Sequence, residues 1–299
     1  MSAPARSGAS DLLLALAVLS ETPHPSHRAV AGALDLGALP EPAEYTQVLG
    51  MSVLPFASIY LGPEGMLGGE AADRVAGFWR AVGQTTPADA DHLASLLGLY
   101  AALADAEAAE VDPARAALRR RARATLLWEH LLSWVPVFAR AVEASGSAFY
   151  ADWAALLVEA LLGEAAELDP VEDLPRHLAE APGLPDEIDG ARDLARSLLT
   201  PVRSGVVLTR HDLARGARGL RLGMRVGERA FILASMLEQD APATLDWFAA
   251  EAGRWADRHR QDAAMLGSVS SFWASRAEDT AAACRARQTT LQEVLADVV

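Results

Sequence analysis

The amino-acid sequence predicts an all-α fold, and three observations carry that reading. Apolar residues recur at helical spacing wherever a long segment is tested. No segment alternates with period two between hairpin turns. Ala and Leu, both strong helix formers, supply most of the apolar mass of a chain that is 51% hydrophobic but only 6% aromatic.

The first apolar run, LLLALAVL at 12–19, follows Arg6 and has the look of a short signal-peptide core. Asp11 abuts it, Glu21 and Pro23 follow, and no small-x-small cleavage site is present. A buried helix capped by Ser10 is therefore expected. Further along, Val75, Phe78, Trp79 and Val82 fall on one helical face, as do Leu93, Leu96, Leu97 and Tyr100. Leu127, Leu131, Trp134, Val135, Phe138 and Val142 make a longer stripe, inside which Pro136 should kink the helix. Ser147 is placed to cap the next stripe, Phe149, Trp153, Leu156, Leu157 and Leu161. A further stripe is Leu245, Phe248, Ala252 and Trp255. LGPEGMLGGE at 61–70, with four glycines and a proline, reads as a loop. EAPGLPDE at 180–187 reads as a domain boundary, giving a core at 1–182 and a C-terminal helical extension at 183–299.

Charge narrows the function classes. The formal net charge of −14 argues against general nucleic-acid affinity and suits a cationic partner. It is also segregated: 159–193 holds eleven acids against Arg176 and Arg192, whereas 201–230 holds seven arginines against Asp212 and Glu228. The two blocks could pair as solvated faces. Alternatively, Arg203, Arg210, Arg225 and Arg229 within the 203–229 segment could meet an acidic partner or the diphosphate of a cofactor, beside glycines that permit close approach. A third reading is a DNA-reading helix-turn-helix over 208–237, opened by Thr209 with Asp212 at the capping-box position.

Catalytic and metal motifs are missing: the seven histidines show no HExxH, and there is no GxSxG, P-loop or GxGxxG after a strand. The single Cys284 excludes an internal disulfide and suits a reducing compartment. No apolar run is long enough for a membrane span. A non-enzymatic, soluble, cytoplasmic protein is expected.

Four segments together carry a family resemblance: PFASIYLGPEGMLGGEAADRVAGFWRAVG (55–83), PADADHLASLLGLYAAL (87–103), LLWEHLLSWVPVFARAV (126–142) and FYADWAALLVEAL (149–161). In order and spacing, over roughly residues 10–165, they resemble the TorD/DmsD/NarJ chaperones of molybdenum oxidoreductases. The resemblance implies a helical cytoplasmic chaperone without turnover. Its implied partners are the twin-arginine signal peptide and the apo catalytic subunit of a client enzyme. It implies no permanently bound cofactor and at most transient contact with molybdenum cofactor. By position it brings forward Asp91 and His92 as the family's pair, Tyr60, Leu61 and Gly62 before a binding helix, and Trp79, Glu129 and Trp134 as further client-binding residues. A homodimer and a monomer both remain open. A receptor for such a peptide needs carboxylates for the cationic head and an apolar surface for the helix-forming tail.

Overall fold

The structure, a computed structural model, describes residues 8–168 and 173–297. Among these, seventeen α-helices and two π-helical segments form, with no strand beyond one isolated antiparallel bridge between Phe56 and His92. The all-α expectation holds. Asp169 and Glu172 of the acidic block, and Arg6, lie outside the described residues. The chain divides into two units: Met1–Gly62 with Met66–Pro175, and Pro63–Gly65 with Arg176–Val299.

In the first unit the N-terminal run forms the Gly8–Leu19 helix, packed on the Leu93–Ala108 and Ala148–Glu167 helices. Leu13, Leu16 and Leu19 are buried, as a core helix requires. Ser10 lies within this helix and is itself buried, so it is not the N-cap expected of it. Leu93, Leu96, Leu97 and Tyr100 all face inward. Ser147 does cap its helix, its hydroxyl accepting from the Tyr150 N–H at 3.2 Å.

Pro136 acts differently from expectation. The 127–142 stripe is two elements, a π-helical turn Leu126–Leu131 and the Val135–Glu143 α-helix. Pro136 sits in the first turn of the second helix, where its missing N–H has no helical partner to lose. The chain breaks there instead of kinking, yet every apolar residue of the stripe remains buried.

An aromatic column fills the core. Tyr60 stacks on Trp134 at 5.2 Å, and Phe138 meets Tyr60, Trp134 and Trp153 at 5.9, 5.6 and 6.1 Å. Burying such rings requires partners for their polar ends. The Trp134 indole donates to the His130 carbonyl at 2.8 Å, the Trp153 indole to the Leu16 carbonyl at 3.1 Å, and the Tyr60 hydroxyl to the Leu54 carbonyl at 3.1 Å. Tyr100 donates to Glu164 at 2.7 Å, which gives that buried carboxylate a partner.

The second unit is built on the Ala241–Gln261 and Ser268–Asp297 helices, with Phe248, Trp255 and Trp273 buried around their packing. Gly205 fits here because its φ is +70° and a Cβ would stand 2.5 Å from the Ala277 nitrogen. The expected boundary segment at 180–187 belongs to this unit. Arginines of the long last helix hold its carbonyls: Arg276 donates to Ala181, and Arg287 to Pro185 at 3.2 Å. The two units divide between Pro175 and Arg176.

Replacing Trp134 by Ala removes the centre of the aromatic column and should cost about 3–5 kcal/mol. Urea unfolding followed by far-UV circular dichroism measures this.

Candidate functional site

The stretch that opens the Leu93–Ala108 helix also organises the start of another helix. The Ala57 N–H donates to the Asp91 carbonyl at 3.0 Å, and the Leu93 N–H donates to the Pro55 carbonyl at 2.9 Å. The Asp91 carboxylate is buried and accepts from the Ser58 N–H at 2.9 Å, at the first turn of the Ala57–Leu61 helix. Asp91 therefore caps a helix from a distance of 33 residues and does not cap its own. The N-cap of Leu93–Ala108 is His92, whose Nδ1 accepts from the Ala94 N–H at 3.1 Å. That bond makes Nε2 the protonated nitrogen of the neutral ring. Burial is the main cause that lowers the His92 pKa, opposed by Glu21, Asp89 and Asp91. The ring also meets Phe56 edge-on at 4.7 Å.

His92 lines a polar cavity of about 490 Å³ together with Glu21, Thr22, His24, His27, Tyr45, Asp89 and Ser95. Two carboxylates, three imidazoles and a phenol converge on it. His24 and His27 stand 5.9 Å apart, and His24 Nδ1 is 2.8 Å from the Ser26 hydroxyl. Among the described residues no three His, Cys, Asp or Glu groups are placed to hold a metal. The arrangement suits a cationic, multi-donor group: Glu21 and Asp89 can accept from a guanidinium, while Tyr45 and the His92 Nε2–H supply polar contacts at its side.

The other sequence-predicted positions have different surroundings. Tyr60, Leu61 and Trp134 are buried in the core, so packing is the work they do in this structure. Gly62 ends the Ala57–Leu61 helix, where a Cβ would approach the Ser58 carbonyl oxygen to 2.6 Å. Trp79 is half-buried and its indole donates to the Ala90 carbonyl at 3.1 Å, tying the Gly69–Ala81 helix to the 89–92 stretch. Glu129 is half-buried on the π-helical turn. Burial raises its pKa and Arg74 lowers it by a smaller amount. Its neighbour His130 is held down to about 4, first by burial and then by Arg74. Glu21, Thr22, His24, His27, Tyr45, Asp89 and Ser95 went unpredicted. The available signals were the HPSH spacing after the first helix and a second aspartate beside Asp91-His92.

The arginine block has several separate tasks. Arg203 donates to the Pro63 carbonyl at 2.7 Å and the Gly183 carbonyl at 3.1 Å, and Arg229 donates to the Leu208 carbonyl at 2.9 Å. Arg215 pairs with Asp212 and Glu251 at 2.9 and 3.6 Å. Arg225 is exposed and lies over the Phe231 ring, and Arg210 is exposed. Of the four arginines, Arg203 and Arg229 are engaged with backbone carbonyls, whereas Arg210 and Arg225 are exposed. The helix-turn-helix reading finds no support. Thr209 and Asp212 do form the expected capping box on Arg210–Gly219. However, nine residues (220–228) separate this helix from Arg229–Gln239, in place of a three- or four-residue turn. Ile232 to Leu237 of the second helix are buried, where a reading helix must be exposed.

Residues 41–140 match the family model described as nitrate reductase delta subunit, about a third of the 299-residue chain. The match supports, in general terms, a chaperone that serves molybdenum-enzyme maturation. It takes in Tyr45, Asp89, Asp91, His92 and Ser95, and the Gly69–Ala81 and Leu126–Leu131 helices. No curated protein matches the chain. Among the described residues no helix is long and apolar enough to cross a membrane.

Asp91→Ala should lower stability by about 1–2 kcal/mol through loss of the Ser58 cap, with Asp91→Asn keeping part of it, as read by chemical unfolding. His130 predicts a pH effect of definite sign. Its folded pKa lies below the unfolded value, so its stability contribution is complete above pH ~6.5 and is lost as pH falls toward 4. Wild type should lose about 2 kcal/mol more than His130→Gln between pH 7 and 5.

Proposed function

We propose that this chain is a cytoplasmic, non-catalytic chaperone that binds the twin-arginine signal peptide of a molybdenum-enzyme catalytic subunit. The observation that carries the reading is the polar cavity around His92. It puts Glu21 and Asp89 together with His92, and of these Asp89 and His92 lie within the family match. An arginine of the peptide enters with its guanidinium toward the two carboxylates, in the fork geometry that lysine lacks. The neutral His92 ring presents Nε2–H to a peptide carbonyl. Met51, Met66 and Leu67 are exposed on the same unit and supply apolar surface for the tail. Holding the signal peptide while the apo subunit receives its cofactor needs binding alone, which agrees with the family's chaperone character.

Fluorescence anisotropy with a labelled signal peptide tests this. Wild type should bind an Arg-Arg peptide at least about tenfold more tightly than its Lys-Lys counterpart. Glu21→Gln with Asp89→Asn should remove that preference while leaving the circular dichroism spectrum unchanged. Equal affinity for both peptides, or an unchanged preference in the double variant, would exclude this cavity as the arginine site.

A further inference from the structure

The second unit carries a surface feature unrelated to the cavity around His92. The loop 220–228, LRLGMRVGE, joins the Arg210–Gly219 and Arg229–Gln239 helices. Val226 is 97% exposed, and Met224 and Phe231 are 48% and 40% exposed. Leaving such side chains in water costs free energy, so a slack loop would fold them back against the nearest surface.

This loop is not slack. The Gln239 side-chain amide clamps Gly223: its Oε1 accepts from the Gly223 N–H at 2.7 Å, and its Nε2 donates to the Gly223 carbonyl at 2.9 Å. The same Nε2 donates to the Ser235 carbonyl at 3.0 Å, which ties the clamp to the second helix. At the loop's start the Leu222 N–H donates to the Ala217 carbonyl at 2.8 Å, and Arg221 takes a left-handed φ of 59°. At its end the Phe231 ring packs so close to Gly227 that a Cβ there would stand 2.7 Å from it. Met224 and Val226 are thus held outward by a fixed backbone.

Charge accompanies the apolar groups. Between Asp212 and Glu228 no acidic residue interrupts Arg215, Arg218, Arg221 and Arg225. Arg215 is paired with Asp212 and Glu251. Arg218, Arg221 and Arg225 are exposed and make no ion pair among the described residues, and Arg225 lies over the Phe231 ring at 5.9 Å. The chain's acidity lies elsewhere in the sequence. Residues 176–299 hold sixteen arginines and seventeen acids, whereas residues 1–175 hold ten and twenty-three. Arginine and apolar side chains interleaved residue by residue match a surface where anionic groups and hydrocarbon lie close together, as phosphates and acyl chains do in a lipid interface. A side chain as exposed as Val226 projects from the chain, which suits entry into a fluid layer.

We propose that the 220–228 loop attaches this chain peripherally to an anionic lipid surface. Met224 and Val226 enter the boundary between headgroups and acyl chains, and Arg218, Arg221 and Arg225 meet lipid phosphates. Attachment is reversible, because so small an apolar surface is far from the hold of a spanning helix. The proposal is independent of the peptide-binding reading.

Flotation of the full-length chain with vesicles tests this, using phosphatidylcholine alone and an equimolar mixture with phosphatidylglycerol. Wild type should partition onto the anionic vesicles at least about tenfold better than onto the neutral ones, and high salt should release it. Met224→Ser with Val226→Ser should lower partitioning at least about tenfold, and so should Arg218→Gln, Arg221→Gln and Arg225→Gln combined. Both variants should keep the wild-type thermal midpoint, since the replaced side chains are exposed. Val226→Cys carrying an environment-sensitive dye should shift to the blue on anionic vesicles, the native Cys284 being buried and out of reach of the label. No flotation by wild type, or flotation of either variant equal to wild type, would overturn the proposal. Flotation without the blue shift would overturn insertion of the loop. If wild type ignores both vesicles and binds an acidic amphipathic peptide through these residues, the loop is a protein-docking surface and the lipid assignment falls.

Discussion

The antiparallel tie between 55–58 and 91–93 is the constraint on which the first unit's chemistry depends. Two backbone hydrogen bonds join Pro55 to Leu93 and Ala57 to Asp91, and the Asp91 carboxylate closes the contact on Ser58. One short contact thus starts two helices at the same place. It sends Tyr60 into the aromatic column on one side and sets His92 at a cavity on the other. A buried carboxylate is tolerated there because the Ser58 N–H meets it. The Trp79 indole on the Ala90 carbonyl braces the same stretch from a third helix.

Electrostatics in this chain is organised by local need. The arginine-rich segment invites reading as a ligand surface, but Arg203, Arg229, Arg276 and Arg287 hold carbonyls of irregular backbone within the second unit. A guanidinium with five donors suits this task, since it can bridge carbonyls that no helix or sheet ladder satisfies. Arg74 in the first unit differs: its Nε and Nη2 are buried without a hydrogen-bond partner among the described residues, and Glu70 and Glu129 act on its charge through space.

Much of the fold was legible in the sequence. The stripes Leu93–Leu96–Leu97–Tyr100 and Leu245–Phe248–Ala252–Trp255 are buried as their spacing requires, and the caps at Ser147 and Thr209 follow from local chemistry. Periodicity could not reveal that Pro136 starts a new helix, because a broken stripe and a kinked one place the same residues inward. The site was half legible. Asp91 and His92 stood out, but the tie that turns Asp91 inward joins segments 33 residues apart, which no local pattern encodes. Glu21, His24 and Tyr45 likewise reach the cavity through tertiary packing alone. Tyr60 and Trp134, which the resemblance brings forward as client-binding residues, are buried, because aromatic residues serve cores and binding surfaces equally well in sequence.

The most direct test of the central claim is site mapping. A signal peptide carrying a photo-crosslinker next to its arginine pair would be bound to the full-length chain, irradiated and analysed by mass spectrometry. Crosslinks concentrated on residues 21–27, 45 and 89–95 are the predicted result. Crosslinks confined to the arginine-rich 203–229 segment, or spread without preference over both units, would contradict the assignment of the cavity around His92 as the arginine-binding site.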